Sequence, residues 1–209
     1  MSALAGGGGY VAPSHRLCNS QNPGELTYIN AELGEMTAAG FPFDLTPLRP
    51  APVETWHPRH CGDSQMRIAR DGTWFHQGAP IGRRELVRLF ATLLRKDDDG
   101  FMLVTPAEKL SIQVEDAPFV AVLMAVQGEG AAQDLRFCTN VGDEVVAGSD
   151  HPLRFAVQEG APIPYLHVRG GLDAKLSRAL YYELMDLAQS ENGVTGVWSG
   201  GVFFALEGG

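Results

Sequence analysis

From about residue 53 onward, short apolar runs alternate with turn residues in two blocks of similar layout. In the first block, Asp71-Gly72 separates two apolar runs, a pattern typical of a β-hairpin. Five apolar residues then recur at helical spacing: Leu86, Leu89, Phe90, Leu93 and Leu94. This stripe predicts an amphipathic helix that ends in the Asp-Asp-Asp-Gly sequence 97–100. Strands over 101–105 and 110–114 complete a predicted β-β-α-β-β module.

The second block begins with a nearly continuous apolar run over 119–126, which fits a buried strand. Further short apolar runs, separated by turn residues, predict strands over 134–139, 144–147, 153–157, 165–168, 195–198 and 202–206. Leu180, Leu184 and Leu187 predict a second amphipathic helix, which Asn192-Gly193 would end. The fold class predicted from both blocks is α+β, with two β-rich modules that each carry one amphipathic helix.

The two predicted helices match each other at an offset of about 94 residues. Leu86, Phe90 and Leu93 fall on Leu180, Leu184 and Leu187. Two interpretations stay open: an internal duplication of one supersecondary unit, or a coincidence between two core helices that share a helical period.

Residues 1–50 differ from both blocks. They contain the glycine run 6–9 and five prolines, and their apolar residues follow neither a helical nor a strand period. This composition predicts a flexible N-terminal extension over 1–50, before an α+β module over 51–114 and a β/α module over 115–207.

Composition excludes several classes of protein. The 209 residues carry a net charge of −9, which argues against a general nucleic-acid binder, because phosphate contacts need a basic surface. The longest apolar run, 117–126, is far shorter than the roughly 20 residues that span a bilayer. The first residues lack the pattern of a secretory signal, and three widely spaced cysteines do not suggest a disulfide framework. We therefore expect a cytoplasmic protein without a membrane partner.

No strong catalytic or cofactor motif is present, so we predict no catalytic residue and no cofactor. His57, His60 and Cys61 could recruit zinc together with Asp63 or His76, but structural zinc sites pair ligands from two places in the chain, and no metal is predicted. A hydrolase that uses Cys61 with a histidine such as His76 or His167 is the last alternative. His60 is adjacent to Cys61, but side chains of sequence neighbours usually point apart, so this adjacency alone does not indicate a catalytic pair.

Two turns that directly follow apolar strands carry hydrogen-bonding side chains, 105–109 (TPAEK) and 139–143 (TNVGD). Such turns often hold functional residues, although Thr, Asn and Asp also cap their own backbone. Trp198-Ser199 and the pair His167 and Arg169 are similarly ambiguous, since aromatic and guanidinium groups serve both recognition and packing. Most arginines lie in the first module and most of the acidic excess in the second, so the modules could dock or hold an anion between them.

Eight motifs in order resemble the bacterial family of domain of unknown function 1285. They are 56–63 (WHPRHCGD), 66–75 (MRIARDGTWF), 80–90 (PIGRRELVRLF), 103–108 (LVTPAE), 115–120 (EDAPFV), 139–143 (TNVGD), 151–154 (HPLR) and 197–201 (VWSGG). The resemblance covers about three quarters of the chain. It implies a two-domain fold with a duplicated core, a second domain similar to pleckstrin-homology folds, and a groove between the domains that holds a nucleotide-like ligand in a signalling role.

We therefore predict a non-enzymatic protein that binds a small nucleotide-like anion between its modules. Arg67 and Arg83 would contact phosphate, and Trp74 or Trp198 would stack on an aromatic ring. The remaining predicted contacts are Thr105, Glu108, Lys109, Asn140, Asp143, His167, Arg169 and Ser199. The alternative is a protein–protein interaction module, in which the pleckstrin-like half holds a protein partner.

Overall fold

The computed structural model describes residues 27–30, 34–37, 47–158 and 161–206. Over these residues the protein is α+β, with two six-stranded sheets, a three-stranded sheet and a hairpin of β1 (Thr27–Asn30) with β2 (Gly34–Thr37). The predicted flexible extension over 1–50 falls largely outside the described residues.

The first module consists of six strands and one helix. They are β3 (His60–Ile68), β4 (Trp74–His76), β5 (Ala79–Pro80), α1 (Arg84–Thr92), β6 (Leu94–Asp97), β7 (Gly100–Val104) and β8 (Lys109–Val114). The strand order across the sheet is β5-β4-β3-β8-β7-β6, with each half antiparallel and β3 parallel to β8 at the centre. α1 connects the two halves, because bringing a strand back parallel requires a crossover rather than a tight turn.

The predicted first helix is confirmed, but its predicted end is wrong. α1 ends at Thr92, and Leu94 begins strand β6 instead of closing the helical stripe. The Asp-Gly sequence that was expected to cap the helix forms the turn between β6 and β7, where Asp97 pairs with Gly100. The reason is that Asp-Gly serves a hairpin turn as well as a helix end, and sequence alone does not separate the two uses.

A short 3-10 turn over Val53–Thr55 covers the face of the first sheet opposite α1. Val53 packs there against Met102 and Val104 of β7. Arg95 fixes this turn, since its Nη1 donates to the carbonyls of Val53 at 2.7 Å and Trp56 at 2.8 Å. The rest of the Arg95 guanidinium binds Asp97, and its hydrogen bonds lower the pKa of Asp97 from 3.8 to about 2.

The second module repeats the sheet pattern of the first. Its elements are β9 (Phe119–Gln127), β10 (Asp134–Thr139), β11 (Glu144–Val146), β12 (Leu153–Gln158), β13 (Ala161–Arg169), β14 (Leu172–Leu176) and α2 (Arg178–Asp186). The order β11-β10-β9-β14-β13-β12 again joins two antiparallel halves through a central parallel pair. The helix, however, follows the sheet rather than connecting its halves.

A small third sheet closes the described chain, with β15 (Gln189–Glu191), β16 (Val194–Ser199) and β17 (Val202–Ala205) in that order. Asn192-Gly193 forms its first turn and does not stop α2, which ends at Asp186, so this predicted helix end is also wrong. Within the two modules and the third sheet, sequence analysis missed β5, β6, β14 and β15. None of the helices in the described part of the chain has the length and apolarity needed to cross a bilayer.

One apolar core extends through both modules. Ile68, Trp74 and Ala91 of the first module belong to the same buried cluster as Phe119 and Leu184 of the second. The prediction of an α+β fold with two β-rich modules and one helix in each is confirmed.

Candidate ligand-binding site

A pocket of about 310 Å³ lies between α1 and the first sheet. Its apolar wall consists of Met66, Ile81, Leu86, Phe90, Leu93, Leu103 and Leu110. Ser64, His76, Thr105 and Glu108 supply its polar groups. A pocket of this size and character is typical of small-molecule sites, which combine an apolar lining with a few placed polar groups.

The floor of the pocket follows from strand register. Met66 of β3 lies opposite His76 of β4, and Leu103 of β7 lies opposite Leu110 of β8. Residues that are directly opposite in an antiparallel pair project from the same face of the sheet. The roof is the apolar face of α1, where Leu86, Phe90 and Leu93 recur at helical spacing.

A rigid turn places Glu108 at the rim of the pocket. The Thr105 hydroxyl accepts hydrogen bonds from the backbone N–H groups of Ala107 at 3.3 Å and Glu108 at 3.1 Å. The Thr105 N–H also donates to the Glu108 carbonyl at 2.9 Å. Lys109 is held away from this turn because its Nζ binds Asp97 Oδ2 at 2.8 Å. The two candidate residues Thr105 and Glu108 therefore belong to the pocket, and Lys109 belongs to the Asp97 network.

The hydroxyl of Ser64, the other small polar residue of the pocket, is committed to the backbone. Its Oγ donates to the Ser111 carbonyl at 2.7 Å and accepts from the Met66 N–H at 3.2 Å. His76 and Glu108 therefore remain as the ionisable groups of the pocket lining.

Trp74 lies opposite Ile68, two residue pairs along the strands from the Met66–His76 pair of the pocket floor. Its indole is 1% exposed and stacks on Phe90 with ring centroids 6.3 Å apart, and its carbonyl accepts from the Ile81 N–H at 2.8 Å. Among the described residues, Trp74 Nε1 is the buried side-chain nitrogen or oxygen without a hydrogen-bond partner. Trp74 thus supports two walls of the pocket, and its predicted stacking on a ligand would require Phe90 to move.

An ion pair of the second module lies at the seam between the modules and contacts the first module. Arg169 Nη1 binds Asp143, its Nη2 donates to the Ala91 carbonyl of α1 at 3.0 Å, and its guanidinium lies 4.9 Å from the Phe119 ring centroid. Burial raises the pKa of Asp143 and lowers the pKa of Arg169, because desolvation penalises both charged forms. The guanidinium caps the carbonyl end of α1, where a positive charge is stabilising.

Two further hydrogen-bond sets cross the same seam. Asn140 accepts from the Val120 N–H at 3.0 Å and donates to the Gly72 carbonyl at 3.5 Å. Arg88 of α1 donates to the Val141 carbonyl at 2.8 Å. The predicted candidates Asn140, Asp143 and Arg169 therefore all lie at the seam, where they bind protein groups. Ligand contact at the seam stays a prediction.

Of the two arginines expected to contact phosphate, one is paired with a carboxylate and the other is exposed. Arg67 pairs with Glu115, and its guanidinium covers the Phe75 ring at 4.2 Å, on the sheet face opposite Met66. Arg83 is exposed directly before α1.

The last three candidates, His167, Trp198 and Ser199, lie in the second module and the third sheet, and each contacts a different part of the protein. His167 Nδ1 lies 3.2 Å from Asp173 Oδ1, and Trp198 packs on Phe203 with ring centroids 5.3 Å apart. The buried Ser199 hydroxyl donates to the Ala147 carbonyl at 2.7 Å and accepts from the Leu135 N–H at 2.8 Å. Ser199 thereby joins the third sheet to the second module.

Sequence reasoning missed the apolar lining of the pocket. Its helical part was identified as a core stripe, and nothing in that pattern distinguishes a filled interface from an open one.

Among the described residues, no group of three or more His, Cys, Asp and Glu could hold a metal ion. Cys61 is exposed, and its thiol donates to the Arg59 carbonyl at 3.4 Å.

Comparisons with known proteins agree with the fold. Family models of the domain of unknown function DUF1285 match residues 51–117 with the N-terminal domain and residues 118–206 with the C-terminal domain. A crystal structure of a DUF1285 family protein from Silicibacter pomeroyi DSS-3 is 52% identical with a TM-score of 0.74, covering 77% of this chain and 89% of that chain.

A DUF1285 family protein from Shewanella baltica OS155 is 28% identical with a TM-score of 0.47, covering 59% of this chain and 91% of that one. No curated protein matches the chain at a significant level. The protein is thus a two-domain α+β protein, and it belongs to the DUF1285 family, as the sequence motifs indicated.

Proposed function

We propose that the protein is a non-enzymatic binding protein that holds a small, largely apolar ligand in the pocket beside α1. The observation that carries this proposal is the open volume of about 310 Å³ between the apolar face of α1 and the Leu103–Leu110 floor. Seven of its lining side chains are apolar, so a ligand that fills the pocket gains the free energy of burying apolar surface.

The charges near the pocket favour an apolar body over a phosphate. Among the residues that the structure describes, neither a lysine nor an arginine lines the pocket, and anion recognition normally uses such groups. At the seam, where a nucleotide-like anion was predicted, Arg169 binds Asp143 and Arg88 binds the Val141 carbonyl. A nucleotide would have to displace these contacts, so it serves as the competing ligand in the test.

A regulatory role is supported by the position of α1. Phe90 and Leu93 line the pocket, whereas Arg88 and Ala91 of the same helix contact the second module. A ligand that binds one position of α1 better than another shifts the equilibrium between them, and the seam contacts would change with it.

The experiment is a calorimetric titration with alkyl alcohols of increasing chain length, beside a panel of nucleotides. Each methylene that enters the pocket contributes about 0.8 kcal/mol, which is roughly a fourfold gain in affinity. We expect the affinity to rise steeply with chain length until the pocket is full, and no comparable heat from nucleotides.

A matched pair of variants locates the site. Leu93→Phe adds bulk inside the pocket, and Leu187→Phe adds the same bulk at the corresponding end of α2, outside it. We expect Leu93→Phe to weaken alcohol binding by about tenfold and Leu187→Phe to leave it unchanged. Equal affinities in both variants, or nucleotide binding that is lost in Arg169→Met, would contradict the proposal.

A further inference from the structure

We propose that the ligand of this pocket is an amphiphilic amine, an apolar alkyl or aryl body with one cationic ammonium head that Glu108 binds. This inference rests on the proposed function and adds the chemical class of the ligand. The juxtaposition that carries it is the exposed Glu108 at the rim of an apolar pocket that has no lysine or arginine among its described lining residues.

The backbone of Glu108 is placed by the fold. The hydrogen bonds of Thr105 to the N–H groups of Ala107 and Glu108 fix the turn backbone, so Glu108 does not depend on a side-chain partner for its position. Glu108 is exposed, and no ion pair joins it to any residue in the described ranges. Its charge is available to a ligand head group.

Two basic residues on elements that border the pocket, β8 and α1, are directed elsewhere. Lys109 binds Asp97, and Arg88 donates to the Val141 carbonyl at the seam. Neither one lines the pocket. The Glu108 carboxylate is therefore complementary to a cation and repels a carboxylate or phosphate.

The interior limits the ligand to one polar end. Apart from the exposed His76, the floor and roof are apolar, and the hydroxyls of Ser64 and Thr105 are already bonded to backbone groups. A polar atom buried deep in the pocket would lose its water without gaining a partner, which is unfavourable. Sugars and nucleosides are disfavoured on this ground, and an amine with an apolar tail satisfies both the interior and the rim.

The test compares octylamine, octanol and octanoate, which share one tail and differ in the charge of the head. We expect octylamine to bind the full-length protein about fivefold more tightly than octanol, and octanoate to bind most weakly. Glu108→Gln should abolish the preference for the amine, while Glu191→Gln, which removes an exposed carboxylate on β15, should retain it. His76→Gln should also retain it.

Three results would overturn the inference: octanoate binding as tightly as octylamine, an amine preference that survives Glu108→Gln, or one that disappears equally in Glu191→Gln. If octanol binds and Leu93→Phe weakens it while the head-group order fails, the pocket stands and only the ligand class is wrong. If neither octanol nor octylamine binds, both the proposed function and this inference are wrong.

Discussion

The two helices have the same length but bury their apolar faces to different extents. α2 buries Leu180 and Leu184 almost completely, at 3% and 0% exposure. α1 buries Ala91 alone, its Leu86 and Phe90 are half-buried, and Leu89 is 54% exposed. The helix of the second module therefore completes a core, while the helix of the first module covers a partly open space.

This difference accompanies a difference in connectivity. The two six-stranded sheets share one strand order, but α1 connects the two halves of its sheet and α2 follows its sheet. An α helix in the crossover position is held by the sheet on one side and, through Arg169 and Arg88, by the second module. The same layout of strands thus supports a packed helix in one module and a pocket in the other.

The largest expected effect comes from breaking the buried Arg169–Asp143 pair at the seam. Arg169→Met leaves the Asp143 carboxylate buried without its partner, and breaking a buried pair costs about 3–5 kcal/mol. Arg154→Met is the matched control, because its ion pair with Asp173 lies on the exposed side of the same module and should contribute at most about 1 kcal/mol. Urea denaturation measures both, and equal losses would mean that the seam does not depend on this pair.

The second prediction compares the helices directly. Leu184→Ala removes a fully buried side chain and should lower the free energy of unfolding by about 2–5 kcal/mol. Leu86→Ala trims a half-buried pocket wall and should cost about 1 kcal/mol, since less apolar surface is lost and no closed cavity forms. If Leu86→Ala is as costly as Leu184→Ala, α1 is packed like α2 and the contrast is wrong.

The third prediction concerns the acid stability of the first module. The folded-state pKa of Asp97 lies near 2, below its ordinary value of 3.8. Its stabilising contribution, about 2 kcal/mol, is therefore present above the higher value and is lost as the pH falls through the lower one. Asp97→Asn should destabilise the protein at neutral pH and have little effect near pH 2. A deficit that is constant with pH, measured by denaturation at both ends, would contradict this linkage.

The smallest expected losses of stability come from substitutions at two threonines, Thr139 and Thr105, whose hydroxyls bind the backbone of a turn. Thr139 is buried and its hydroxyl accepts from the Asp143 N–H at 3.0 Å, whereas Thr105 makes similar bonds in an exposed turn. Thr139→Val should cost about 1–3 kcal/mol because it leaves a buried N–H unsatisfied, and Thr105→Val about 0.5–1 kcal/mol. Thermal unfolding shows which of the two variants loses more stability. Thr105→Val should also weaken amine binding, because it loosens the turn that carries Glu108.

Much of the fold could be predicted because each element carries its own signal. Asp71-Gly72 identified the hairpin between β3 and β4, and the leucine stripes identified both helices. The helix ends were wrong because Asp-Gly and Asn-Gly suit a helix end and a hairpin turn equally well. Which use applies depends on whether a neighbouring strand is present to pair.

The candidate site was harder to predict, because a polar side chain in a turn does not reveal its partner. Asn140, Asp143 and Arg169 were predicted as ligand contacts because they are polar groups near strand ends, and in the structure they bind protein groups at the seam. The pocket could not be inferred, since its apolar lining has the same periodicity as a filled core and only the three-dimensional spacing of α1 and its sheet leaves room.

The most direct test of the pocket is a methyl NMR titration with octylamine. The methyl groups of Leu86, Leu103 and Leu110 should shift together in proportion to ligand bound, and those of Leu180 and Leu184 should remain unchanged. Shifts concentrated instead at Val141 and Leu172 beside the seam, or no saturable shift at any leucine, would contradict a ligand site beneath α1.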